Sequence, residues 1–208
     1  MKPAVPEFRR TAGLVSACLV GWLTACGAGA KERTPTPPPQ TSKPTSPASP
    51  AKGSAPPDAF AQDMLDAHNQ VRATARPTPS PALPRLQWSA EATKTAEKWA
   101  AQCTFEHNPD RGPFGENLAA ATPGAWTTAQ VVKDWASEAA HYDPARNTCA
   151  PGKVCGHYTQ LVWRNTTLVG CVKRTCTKNS PFGKGFPTWE LWVCNYAPPG
   201  NVVGQRPY

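Results

Sequence analysis

Leu191-Trp192-Val193-Cys194-Asn195-Tyr196-Ala197-Pro198-Pro199-Gly200-Asn201-Val202 is the segment from which the fold is read. Its first half reads as a strand within Thr188 to Tyr196, where successive side chains point to opposite faces of a sheet. Trp192, Cys194 and Tyr196 therefore share one face, and Leu191, Val193 and Asn195 share the other. Two prolines and Gly200 then follow. They cannot continue a sheet ladder, so the tail Pro198 to Tyr208 is expected to be exposed or only loosely docked. Upstream, Leu168 to Cys176 reads as a second strand. The segment between them, Asn179 to Pro187, reads as a hairpin loop that carries Phe182 and Phe186.

The earlier part of the chain has a helical period. Phe60, Met64, His68 and Val71 recur on one face, and Asp58 to Arg76 is expected to be a helix ended by Pro77, Pro79, Pro81 and Pro84. Ser89 is a plausible N-cap for a second helix reaching about Cys103, with Trp88, Ala92, Ala96, Trp99 and Cys103 as its inner stripe. A third is expected from about Thr127 to Tyr142, with Val131, Trp135, Glu138 and Tyr142 on one face and Asp143-Pro144 as its stop. Helices first and strands later indicate an α+β fold.

The 208 residues include 25 prolines, nine of them between Thr34 and Pro57. That Pro/Thr/Ser-rich stretch is too poor in apolar surface to fold. The formal charge is +8, but residues 58–208 hold fifteen basic and twelve acidic side chains, too mild an excess to argue for nucleic acid. Lys2, Arg9 and Arg10 precede a short apolar run, Thr11 to Leu23, which reads as an export signal rather than a membrane span. Leu23-Thr24-Ala25-Cys26 resembles a bacterial lipobox, in which Cys26 would carry the lipid. The competing reading is ordinary cleavage after Ala28-Gly29-Ala30. The organisation expected is thus a signal over 1–25, a tether over 26–57 and one domain over 58–208. Six cysteines fall in that domain. In an exported protein an even number reads as disulfides, with fifteen connectivities open; a zinc site would want C-x-x-C pairs, which are absent.

Four ordered motifs carry a family resemblance across roughly Asp58 to Tyr208. Gly156-His157-Tyr158-Thr159-Gln160-Leu161-Val162-Trp163-Arg164-Asn165-Thr166 and Leu191 to Val202 resemble the two signatures of the CAP superfamily. That superfamily spans cysteine-rich secretory proteins, antigen 5 and the plant pathogenesis-related class 1 proteins. His68-Asn69-Gln70-Val71-Arg72 resembles its HNxxR element, and Gly115-Glu116-Asn117-Leu118 its GEN element. The resemblance implies a three-layer α-β-α sandwich around a mainly antiparallel sheet, with Gly156 to Arg164 as a short helix. It implies the disulfides Cys103–Cys176, Cys149–Cys155 and Cys171–Cys194. It also implies that His107, Glu116, Glu138 and His157 line a central cleft able to take zinc or another divalent metal.

Each of these readings has a plainer rival. His107 and His157 are otherwise hydrogen-bonded structural histidines, and Glu138 otherwise sits at the edge of an apolar stripe. His68 reads as core and His141 as surface. No G-x-S-x-G elbow is present, and nothing in the sequence activates Tyr158 or Thr159 as a nucleophile. The resemblance also implies an apolar-ligand loop, here Phe182 and Phe186, whose rival is a plain hairpin with its aromatics folded onto the sheet. The function expected is therefore extracellular binding of a small apolar ligand or a protein partner, with the membrane reached through a lipid anchor. A metal-assisted hydrolase and a host- or competitor-directed effector are the alternatives. The plant-like tail further suggests a releasable peptide, against the rival that it packs on the domain.

Overall fold

A computed structural model describes residues 53–208. The expected export signal, Cys26 and the expected tether up to residue 52 lie outside them. All described residues belong to one compact unit, which holds its own cores and disulfides. The chain already pairs at Ser54, whose N–H donates to Trp88 O at 2.8 Å.

Helix α1 (Ala59–Ala73) is capped by Asp58, which accepts the N–H of Ala61 at 2.8 Å. It stops short of the expected Arg76 because a residue before proline is driven out of the helical region. Its buried face holds Met64, Leu65, His68, Asn69 and Arg72, while Phe60 and Val71 lie at the margin. A two-residue strand, β1 (Gln87–Trp88), leads into α2 (Ala90–Ala100), capped by Ser89 as expected. Ala92, Ala96 and Ala100 are fully buried, so small side chains let α2 lie close to the sheet.

Strand β2 (Gly115–Ala121) was not expected. Its alanines favour a strand weakly, and tertiary pairing overrides that preference. Helix α3 (Thr128–Ser137) carries a capping box between Thr127 and Gln130. It is shorter than the reading to Tyr142: Glu138–His141 tightens into a single 3-10 turn. A small ribbon of β3 (Tyr142–Asp143) and β4 (Thr148–Cys149) follows, and then α4 (Gly156–Leu161). Strands β5 (Leu168–Cys176) and β6 (Trp189–Ala197) complete the fold.

The main sheet has the order β1-β5-β6-β2, antiparallel except for β1 beside β5. Helix α2 packs on one face, over Leu118, Leu191 and Val193. Helices α1, α3 and α4 pack on the other, over Trp192, Cys194 and Tyr196. The α+β, three-layer expectation and the two-faced reading of β6 both hold. The three disulfides are Cys103–Cys176, Cys149–Cys155 and Cys171–Cys194. Gly170 explains how close the α2 layer sits: a Cβ there would lie 2.3 Å from Thr93 N and 2.5 Å from Ser89 O.

The HNxxR residues form a buried joint rather than a site. The Nδ1–H of His68 donates to Met64 O at 2.6 Å, and Nε2 faces the Tyr196 hydroxyl at 2.8 Å. Burial, with Arg72 adding to it and the Met64 bond opposing, lowers the His68 pKa from 6.5 to about 4. Arg72 donates to four carbonyls, those of Pro84, Leu161, Trp163 and Thr166, and so ties α1 to the segments flanking it.

The tail is fastened to the domain at several points, as the rival reading has it, while Asn201 to Arg206 stay exposed as expected. Gly200 N–H donates to Gln160 Oε1 at 3.0 Å, and Asn201 Nδ2 to Gly156 O at 2.9 Å. Arg164 N–H donates to Pro207 O at 2.7 Å, and Arg206 donates to Pro144 O and Ala145 O. Prolines remove ladder donors but leave carbonyls, and Thr166 Oγ1 donates to Pro198 O at 2.9 Å. Pro207 is buried, and Tyr208 packs against the core.

Candidate metal centre

The four expected site residues form two pairs, each a histidine against a carboxylate. His107 lies in the loop after α2, and Glu116 is the second residue of β2. His107 Nδ1 is 2.8 Å from Glu116 Oε1, which also accepts the N–H of Asn108 at 2.9 Å. Glu116 is buried, and its Oε2 has no protein partner. The imidazole of His107 is 58% exposed.

Glu138 and His157 form the second pair. Glu138 opens the 3-10 turn after α3, and His157 is the second residue of α4. His157 Nδ1 is 2.6 Å from Glu138 Oε1. Glu138 Oε2 accepts the backbone N–H groups of His157 and Tyr158 at 2.9 and 3.1 Å. These amides open a short helix with unpaired N–H groups, and a carboxylate there caps them. Burial alone would raise the pKa of Glu138; the His157 ring and the two amides outweigh it and hold the carboxyl below its usual range. The His157 ring stacks on Trp135 of α3, 6.1 Å between centroids. The interruption that Glu138 makes in the α3 stripe is thus accounted for by α4, whose first amides and His157 ring its carboxylate reaches.

Asn117 connects the pairs. It follows Glu116 on β2 and its Nδ2 donates to His157 O at 3.2 Å. Sequence reading overlooked Asn117 as a positioning residue, although it is the third letter of the GEN element. In both pairs a carboxylate holds Nδ1, so the imidazole lone pair left for a ligand is on Nε2. Histidines that bind metals are held in this way, with the carboxylate behind the ring. Glu116 and Glu138 therefore stand behind the histidines rather than beside them as direct donors. The donor set fits a divalent ion of the zinc type, and the unpartnered Glu116 Oε2 is an atom whose charge a nearby cation would offset.

The two pairs do not bring donor atoms from three or more of their residues within 4.8 Å of one another; among the described residues that grouping lies elsewhere. Among the described residues, His68, Cys171 and Cys194 are the group whose three donor atoms lie within 4.8 Å of one another. Cys171 and Cys194 are bonded to each other, so neither offers a thiolate, and both nitrogens of His68 are already engaged. His141, expected at the surface, lies half-buried in the 3-10 turn. Thr159 Oγ1 lies 3.0 Å from Cys155 O and 2.6 Å from Asn201 Oδ1, and Tyr158 OH lies 3.4 Å from Tyr208 OH. Both hydroxyls beside His157 are thus turned to structural partners. Phe182 and Phe186, on the loop between β5 and β6, are 41% and 54% exposed.

Relatives agree with this architecture. Human Peptidase inhibitor 16 is 43% identical over 145 residues, 70% of this chain but only 31% of its own length; the chain spans under a third of that relative. Pathogenesis-related protein 1B of Nicotiana tabacum is 42% identical over 151 residues, covering 71% of this chain and 80% of its own. Among solved structures, venom allergen-like protein 4 of Schistosoma mansoni superposes with a TM-score of 0.56 at 29% identity, over 71% of this chain and 92% of its own. A structure described as NaASP2 with Zn2+ superposes at 0.55 with 24% identity, over 71% and 83%, a likeness of fold. The family profile described as CAP, the cysteine-rich secretory protein family, matches residues 65–196, and this chain belongs to that family.

Proposed function

We propose that this is an exported binding protein, held at a membrane through Cys26, whose central site takes a divalent metal through Nε2 of His107 and His157. The observation that carries this reading is the shared geometry of the two pairs: each Nδ1 is engaged by a carboxylate, at 2.8 and 2.6 Å, which fixes the ring and leaves Nε2 for a ligand. Binding rather than covalent catalysis is favoured because the hydroxyls of Tyr158 and Thr159 are committed elsewhere. Calorimetric titration with zinc tests the site. Affinity should fall with pH, since protonated imidazole cannot coordinate. It should be lost in His107→Ala/His157→Ala and fall about tenfold or more in Glu138→Gln. Equal affinity in parent and double variant would remove the site. Zinc-dependent turnover of a peptide library would favour the hydrolase instead.

The second element of the reading is an apolar ligand at the Phe182/Phe186 loop. Its support is the exposure of both rings, against the rival in which they fold onto the sheet. Retention of a lipid by the parent domain in native mass spectrometry, lost in Phe182→Ser/Phe186→Ser, is the expected result.

A further inference from the structure

The loop between β5 and β6 is shaped to present its phenylalanines. Ser180 Oγ accepts the N–H of Phe182 at 3.3 Å, and Gly183 O accepts that of Phe186 at 3.1 Å. Gly183 supplies the left-handed turn between them, at φ +82°. The foot of the loop is fixed by Trp189, whose Nε1–H donates to Lys178 O at 2.8 Å. A third exposed aromatic stands beside this foot. Phe105, 43% exposed, packs edge-on against Trp189 with ring centroids 6.5 Å apart. The Cys103–Cys176 disulfide staples the two segments, two residues from Phe105 on one side and two from Lys178 on the other.

Along the loop that carries Phe182 and Phe186 the charges have one sign. From Arg174 to Thr188 there are three cations, Arg174, Lys178 and Lys184, and no carboxylate. All three are exposed. The carboxylate nearest in sequence to Phe105 is Glu106, also exposed, whose carbonyl accepts Trp99 Nε1–H. A second copy of the chain would set Lys178 and Lys184 against themselves. Aromatic rings on a rigid loop rimmed by cations match the boundary of an anionic bilayer, where apolar groups enter the acyl region and cations meet headgroups.

We infer that the Phe105/Phe182/Phe186 end of the domain docks on anionic phospholipid surfaces, with Lys178, Lys184 and Arg174 supplying the charge. This deepens the apolar-ligand reading of the same loop and rests on it. It does not require the lipid at Cys26.

The test uses a fragment beginning at Ala48, with disulfides formed, and vesicles of phosphatidylcholine with or without phosphatidylglycerol. At roughly 0.1 M salt, the parent should partition about tenfold more strongly to the anionic vesicles, and the excess should shrink as salt rises. Phe182→Ser/Phe186→Ser should lower partitioning about tenfold or more on anionic vesicles. Lys178→Gln/Lys184→Gln should lower it on anionic vesicles and leave neutral ones unchanged. Val203→Ser removes an apolar side chain that is 98% exposed elsewhere on the domain and should change nothing. Matching thermal midpoints would show the variants folded. The inference falls if the parent ignores anionic vesicles, if the phenylalanine variant partitions like the parent, or if Val203→Ser loses as much. Should the parent ignore vesicles yet retain monomeric lipid through the same phenylalanines, docking is overturned while the ligand reading stands; loss of both removes both.

Discussion

Protonation of His68 should govern the stability of this domain in mildly acid solution. The ring is fully buried, donates through Nδ1 to Met64 O and faces Tyr196 OH through Nε2. Its pKa falls from 6.5 to about 4. Folded His68 therefore resists protonation, and between those two values the unfolded chain binds more protons. The stabilisation is fully present above pH 6.5 and is lost as pH falls toward the folded value. Linkage gives a loss of about 2 kcal/mol between about pH 7 and about pH 5, approaching about 3 kcal/mol at lower pH. In a domain of this size that is a fall of roughly 4–8 °C in Tm. Urea denaturation of the Ala48 fragment at a series of pH values measures it, with His68→Gln as the non-titrating comparison. The variant should be less stable at neutral pH because one buried bond is lost, yet its stability should change less with pH over the same window. Parallel pH dependence in parent and variant would refute the assignment, as would a flat parent curve.

Other consequences are equally direct. Arg72→Met leaves four carbonyls, three of them buried, without their donor and should cost at least about 3 kcal/mol in urea unfolding. Gly170→Ala drives a Cβ into the backbone of the first turn of α2 and should cost about 3 kcal/mol, read as a fall in Tm. The Cys103–Cys176 bridge closes a separation of 73 residues and Cys149–Cys155 one of 6, so paired serine substitutions should cost about 4 and about 2 kcal/mol respectively. Equal losses would show that native packing, not chain entropy, dominates.

What was legible depended on whether a residue's role is set by its own neighbours in sequence. Strand β6 was readable because its two faces are both strongly apolar and alternate. Ser89 was readable as a cap because capping is local. Strand β2 was not: Leu118 is followed by Ala119, Ala120 and Ala121, and only pairing with β6, from Gly115 opposite Tyr196 to Ala121 opposite Glu190, makes them a strand. The end of α3 was missed for a related reason. The spacing of Trp135, Glu138 and Tyr142 fits a helix, but Glu138 is drawn to the amides of α4 and the last turn tightens around it. Pro198 and Gly200 correctly ended β6, yet nothing local announced that Gln160, Asn201 and Arg206 would fasten the tail.

The two histidine–carboxylate pairs are built differently, and that difference bears on how the proposed site would work. Glu138 and His157 are held from several sides: by two backbone amides, by the Trp135 ring, and by the Cys149–Cys155 bridge at the threshold of α4. The tail passes over the same helix, through Asn201 to Gly156 and Gln160 to Gly200. His107 has a fixed carboxylate behind it but leaves more than half its ring in solvent. A ligand met by such a pair finds one imidazole already oriented and one that still has freedom to adjust. The ordering cost falls mainly on the His107 side. Glu116, buried with one oxygen unpartnered, would offset that cost, because a cation drawn to His107 would also relieve the buried charge. Asn117 bridges the two: it holds the carbonyl of His157 from the residue next to Glu116, and so joins the backbone of one pair to that of the other.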